Sequence, residues 1–135
     1  MPAEEKGQSE LIKLLLVDDE VGYVNVLAKR MSRRHIEVIT ALSGSEAIQT
    51  LRKQDFHVAV VDLKMEDMDG IEVLRIFKKM DPNLPVILLT GHGSEQSARE
   101  GLASGAFDYL TKPCDLDELI DKVRKAVEER GDSRG

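Results

Sequence analysis

Short apolar runs alternate along this chain with stretches whose apolar residues recur at helical spacing. Ile12 to Val17 is nearly continuous in apolar residues, the pattern of a strand buried on both faces. Residues 20–33 then place Val24, Leu27, Ala28 and Met31 on one stripe, which predicts a helix. Ile36 to Ala41 reads as a second strand. Ser43-Gly44-Ser45-Glu46 has the form of a capping box that opens a helix through about Lys53. Val58 to Val61 is the third strand, and Asp69-Gly70-Ile71-Glu72 starts a helix to about Lys79 with Ile71, Leu74 and Phe77 inward. Pro82 breaks that helix and Pro85 leads into a fourth strand, 86–89. Ser94 is the expected cap of a helix over 95–103, and Ala106 to Leu110 is a short fifth strand. Asp115-Leu116-Asp117-Glu118 opens the last helix, where Leu116, Leu119, Ile120, Val123 and Val127 form a strong amphipathic stripe.

Five βα units in a row predict an α/β fold, a doubly wound five-stranded parallel sheet with helices on both faces. Right-handed crossovers restrict its topology. In such sheets a ligand lies beyond the carboxyl ends of the strands, at the point where strand order reverses. The runs end there on chemically useful side chains: Asp18 and Asp19, Asp62, Thr90, and Lys112. Residues 1–10 read as a flexible tail, 11–130 as one folded domain, and 131–135 as a polar tail or linker stub.

Composition narrows the function classes. The 135 residues suit one domain, and with 4% aromatics and no Trp the core must be aliphatic. A formal net charge of −6 argues against nonspecific nucleic acid binding and against an anionic membrane surface. One cysteine, Cys114, excludes an internal disulfide and a cysteine-based zinc site. It is expected to be a small buried hydrophobe. No apolar stretch is long enough to span a bilayer, and Met1 to Glu10 lacks the apolar core of a signal peptide, so the cytoplasm is the expected location.

Asp18, Asp19 and Asp62 would bring three carboxylates together, and such a group needs neutralising. An oxygen-only donor set points to Mg²⁺. The bland alternative is that Asp18, Asp19 and Glu20 form a solvated turn capping the first helix. With Mg²⁺ present, Asp62 is placed to act as a nucleophile toward phosphorus, giving an acyl phosphate. Lys112 would offer fixed positive charge to a phosphoryl oxygen, and Thr90 a hydroxyl. Pro113 follows Lys112, and a cis bond there would swing the amine over the strand ends.

Together these residues resemble the receiver domain of bacterial two-component response regulators. The matching segments are Leu15-Leu16-Val17-Asp18-Asp19-Glu20, Val60-Val61-Asp62-Leu63-Lys64-Met65, Met68-Asp69-Gly70, Leu88-Leu89-Thr90-Gly91, Gly105-Ala106-Phe107-Asp108-Tyr109-Leu110 and Lys112-Pro113. They run in order over about Leu11 to Arg130. The resemblance implies a flavodoxin-like sheet of order 2-1-3-4-5. It implies that Asp62 accepts a phosphoryl group from a phosphohistidine on a sensor histidine kinase or phosphotransfer protein. It implies Mg²⁺ bound by Asp19, Asp62 and the Lys64 backbone carbonyl, with Asp18 acting through water. Thr90 would be the hydroxyl that moves toward the phosphoryl group, Tyr109 the aromatic that changes rotamer with it, and Lys112 the phosphate-pairing lysine on a cis bond to Pro113.

The output implied is a downstream domain or protein, with helix four, strand five and helix five as the switching face and as a phosphorylation-dependent dimer surface. Helix four is the expected moving part, because it has little apolar surface and carries Gly101. The chain departs from the family pattern in three places. Glu66 stands where the family often has Pro. Cys114 replaces a larger apolar residue. Lys64 and His92 stand where the family tunes dephosphorylation. Two other functions compete with this one. A receiver-like binding module would use the same fold without phosphorylation. A dehalogenase-type phosphatase would need a general-acid Asp two residues after its nucleophile, and Lys64 or Glu20 stands there instead.

Overall fold

The computed structural model describes residues 11–91 and 95–134. The expected tail at 1–10, the Ser94 cap and His92 lie outside the described residues. The elements are β1 (Ile12–Val17), α1 (Val21–Ser32), β2 (Ile36–Ala41), α2 (Gly44–Lys53), β3 (Val58–Asp62), α3 (Gly70–Met80), β4 (Val86–Thr90), α4 (Glu95–Ala103), β5 (Asp108–Thr111) and α5 (Leu116–Arg134). The backbone of 131–134, read from sequence as tail or linker stub, continues α5.

The strands form one parallel sheet in the order β2-β1-β3-β4-β5. Alternation within β1, β3 and β4 explains why these central runs are so apolar. Leu15, Val17, Ala59, Val61, Val86 and Leu88 face a core completed by Ala47, Leu51, Val73, Leu74 and Phe77 of α2 and α3. Leu14, Leu16, Val58, Val60, Ile87 and Leu89 face the opposite core, with Val24, Leu27 and Met31 of α1 and Leu119, Ile120 and Val123 of α5. A sheet covered on both faces leaves no polar side to its central strands. Apolar burial of this kind is the main stabilising term, roughly 25 cal/mol per Å² removed from water.

The N-caps of α2 and α3 follow the sequence with one change. Ser43 caps α2 by accepting the Glu46 N–H at 3.0 Å, but the Glu46 carboxylate returns to the N–H of Leu42 at 2.7 Å, not to that of Ser43. Asp69 caps α3 by accepting the Ile71 N–H. β3 and β4 each run one residue further than expected, so Asp62 and Thr90 are strand residues.

β5 starts two residues later than expected. Gly105, with φ of +110°, turns the chain after α4, and the Ala106 N–H closes that turn on the Gly101 carbonyl. Residues 106–107 are spent on the turn. Gly101 is not simply a weak point in α4. A Cβ there would lie 2.2 Å from Leu88 Cδ1, so its missing side chain lets the helix lie close on β4.

Candidate functional site

Strand register sets the site. Val17 pairs with Val61, so Asp18 and Asp62 leave neighbouring strands at the same level. Thr90 pairs with Thr111, which brings Lys112 to that edge. The Lys112-Pro113 bond is cis. Gly70 presses against the end of β3, where a Cβ would lie 2.4 Å from the Asp62 carbonyl oxygen. Only a residue without a side chain fits that approach.

Asp18 is fully buried. One of its oxygens accepts the Glu20 N–H at 2.9 Å, and the other accepts Lys112 Nζ at 2.9 Å. Lys112 Nζ also bonds a Glu20 carboxylate oxygen at 2.5 Å and lies 3.7 Å from Asp62 Oδ2. The same amine stands 4.7 Å from the centre of the Tyr23 ring, a cation–π distance. Burial alone would lower the Lys112 pKa. The hydrogen bonds to Glu20 and Asp18 and the nearby carboxylate charges outweigh it and hold the ammonium above its ordinary value.

Asp62 is only 6% exposed. Burial, reinforced by the charge of Asp18, pushes its pKa from 3.8 up to about 6, against the opposing pull of Lys112 and the Lys64 N–H. A carboxylate under that strain gains from any added positive charge nearby. One carboxylate oxygen from each of Asp18, Glu20 and Asp62 lies within 4.8 Å of the others. Three acids therefore face the Lys112 amine with oxygen donors alone, which fits a hard divalent cation such as Mg²⁺.

Asp19 is the expected metal ligand that stands apart from this group. Its Oδ2 accepts the Glu66 N–H from the β3–α3 loop at 3.1 Å. That loop is strapped on its other side, where the Asp67 carboxylate accepts the N–H groups of Gly44 and Ser45 and the Ser45 hydroxyl. Those bonds, led by the Gly44 N–H, hold the Asp67 carboxyl below its usual pKa. Lys64 is exposed in the same loop, with its N–H on the Asp62 carboxylate.

Thr90 is 2% exposed, and its hydroxyl lies 3.4 Å from the Leu110 carbonyl oxygen. Tyr109 is half-buried against the α2–α3 core. Cys114 is half-buried too, and its thiol lies 3.7 Å from the Tyr23 hydroxyl. Burial, then that thiol, raises the Tyr23 pKa.

Two residues of the site did not stand out in sequence. Glu20 takes the N-cap position of α1 but makes no side-chain cap bond, because its carboxylate goes to Lys112. The side chain is largely exposed, as the solvated-turn alternative expects, but it does not cap the helix. Its signal was its place directly after Asp18-Asp19. Tyr23 signals itself only as one of two tyrosines.

The family model of the response regulator receiver domain matches residues 14–124. The chain is 38% identical over 116 residues to the transcriptional regulatory protein GlrR of Escherichia coli strain K12, covering 86% of this chain and 26% of that protein. Among solved structures it is similar to the receiver domain of the Francisella response regulator 1452, with a TM-score of 0.81, 35% identity, and 87% of this chain and 98% of that chain covered. A response regulator receiver domain protein from Clostridium thermocellum matches with a TM-score of 0.86, 32% identity, and coverage of 90% and 98%. The fold and site define a two-component signalling module, and the chain belongs to the response regulator receiver domain family. It spans about a quarter of the length of the first curated relatives that it matches. Among the described residues, no helix is long and apolar enough to cross a membrane.

Proposed function

We propose that this receiver takes a phosphoryl group onto Asp62 and passes the change to an output partner through α4, β5 and α5. The observation that carries this is the convergence of Asp62, Asp18 and Lys112 at the strand ends, with Lys112 Nζ 3.7 Å from Asp62 Oδ2. An Asp62 oxygen attacks phosphorus as the P–N bond of a donor phosphohistidine breaks, and the bonding pair leaves with the imidazole nitrogen. Lys112, already charged, exchanges part of its pairing with the site carboxylates for a phosphoryl oxygen. Asp62, Asp19 and the Lys64 carbonyl would hold Mg²⁺, with Asp18 acting through water. When bound, Mg²⁺ supplies charge that offsets the incoming phosphoryl group.

The new dianion offers the Thr90 hydroxyl a stronger acceptor than the 3.4 Å contact to the Leu110 carbonyl. Drawing Thr90 in leaves space for Tyr109 to turn inward and re-forms the α4-β5-α5 surface. That surface would engage an output domain, a separate protein or a second copy of the chain. The donor would be a sensor histidine kinase or phosphotransfer protein. The receiver unit spans 11–130, works in the cytoplasm, and catalyses only its own phosphorylation and dephosphorylation.

Incubation with acetyl phosphate and Mg²⁺, followed by intact mass, tests this. The expected result is a gain of one phosphoryl group that chelator or Asp62→Ala abolishes. No gain under any condition would favour a binding module that is never phosphorylated. Steady turnover of a generic phosphomonoester would favour a phosphatase.

A further inference from the structure

Glu66 stands in the β3–α3 loop where proline is common in receivers. A proline has no N–H to donate. Here the Glu66 N–H donates to Asp19 Oδ2 at 3.1 Å, and Asp19 lies outside the group formed by Asp18, Glu20 and Asp62. We propose that the main-chain amide of Glu66 positions Asp19, holding its carboxylate on the loop and so setting how readily a divalent cation recruits it. This deepens the Mg²⁺ reading given above and rests on it.

Three observations support the role. The bond is charge-assisted, the stronger class of hydrogen bond. The loop does not freely follow Asp19, because Asp67 ties it to α2 through the Gly44 N–H at 3.0 Å, the Ser45 N–H at 3.1 Å and the Ser45 hydroxyl at 3.1 Å. The Glu66 side chain is exposed, and the group that meets Asp19 is the amide, not the carboxylate. A cation at the strand ends that takes up Asp19 Oδ2 competes with the Glu66 N–H for that oxygen. The amide therefore weakens the cation's binding.

Two substitutions separate amide from side chain. Glu66→Ala removes the carboxylate and keeps the N–H, whereas Glu66→Pro removes both. Mg²⁺ affinity is measured by titration calorimetry on the wild type and both variants, after circular dichroism confirms the fold. Glu66→Pro is expected to bind Mg²⁺ about three- to ten-fold more tightly than Glu66→Ala, the scale of one hydrogen bond to a charged group weakened by solvent exposure. Equal or weaker binding overturns the proposal.

Hydrogen exchange at the Glu66 amide of the wild type is a second readout that needs no proline. It should quicken in saturating Mg²⁺, and an unchanged or slower rate overturns the proposal. If the wild type binds no Mg²⁺ and gains no phosphoryl group, the functional reading falls along with this one. If the wild type does both and Glu66→Pro binds no more tightly than Glu66→Ala, this inference alone falls.

Discussion

Lys112 Nζ reaches Asp18 Oδ2 at 2.9 Å across two intervening strands, joining the end of β5 to the end of β1. Asp18 is fully buried and the Lys112 side chain is 16% exposed. Removing one member of such a pair leaves a desolvated charge behind. Lys112→Met is therefore expected to lower stability by about 2–4 kcal/mol in chelator. Urea unfolding measures this, and Mg²⁺ should restore part of the loss. A change below about 1 kcal/mol would mean that water already solvates Asp18.

Asp62 carries the opposite kind of energy. Its pKa is about 6 in the folded chain against an ordinary 3.8, so the folded state holds the proton more tightly. Stability therefore falls as pH rises between those two values, and the full penalty stands above the higher one. Asp62→Asn removes the charge at nearly constant shape. In chelator at neutral pH it should stabilise the protein by about 1–3 kcal/mol, and the two proteins should converge below about pH 4. Thermal melts across pH check this. A constant difference at every pH would point to packing, not ionisation.

Thr90 tests the switch separately from the chemistry. Its 3.4 Å contact to the Leu110 carbonyl is long, so Thr90→Val should cost less than about 1 kcal/mol. Asp62 should still take a phosphoryl group. Amide signals of Glu95–Ala103 and Asp108–Thr111, which a phosphate mimic should shift in the wild type, should stay in place in the variant. If they shift equally in both proteins, Thr90 does not transmit the change.

Two buried glycines should respond differently to alanine. At Gly70 the added Cβ meets the Asp62 backbone at 2.4 Å, whereas at Gly101 it meets the side-chain end of Leu88 at 2.2 Å. Backbone cannot step aside, but a leucine rotamer shifts, and alanine gains about 1 kcal/mol of helix propensity at Gly101. Gly70→Ala is expected to cost about 2–4 kcal/mol and to slow phosphorylation of Asp62; Gly101→Ala is expected to cost less. Chemical denaturation of the pair decides the order, and the reverse order would contradict this account of the β3 end.

Legibility in the sequence followed the physics of each feature. β1, β2 and α4 were readable to the residue: the strands from their aliphatic and β-branched runs, and α4 from the cap expected at Ser94, since its own apolar surface is small. β5 was not, because the +110° φ of Gly105 and the turn around it leave Ala106 and Phe107 as apolar as strand residues. The capping box was half legible: Ser43 acts as expected, but the partner of Glu46 depends on where Leu42 points its N–H.

At the site, the sequence alone determined which side chains stand at the strand ends. An acid, a threonine or a lysine that closes a run buried on both faces is expected at the carboxyl end of its strand, where a polar side chain can leave the core. Periodicity says nothing about where a side chain turns once there. Only the tertiary structure sent Glu20 to Lys112, stacked Tyr23 beneath that amine and turned Asp19 toward Glu66. These choices join segments far apart in the chain, and they are decided by which charges and N–H groups the fold leaves within reach.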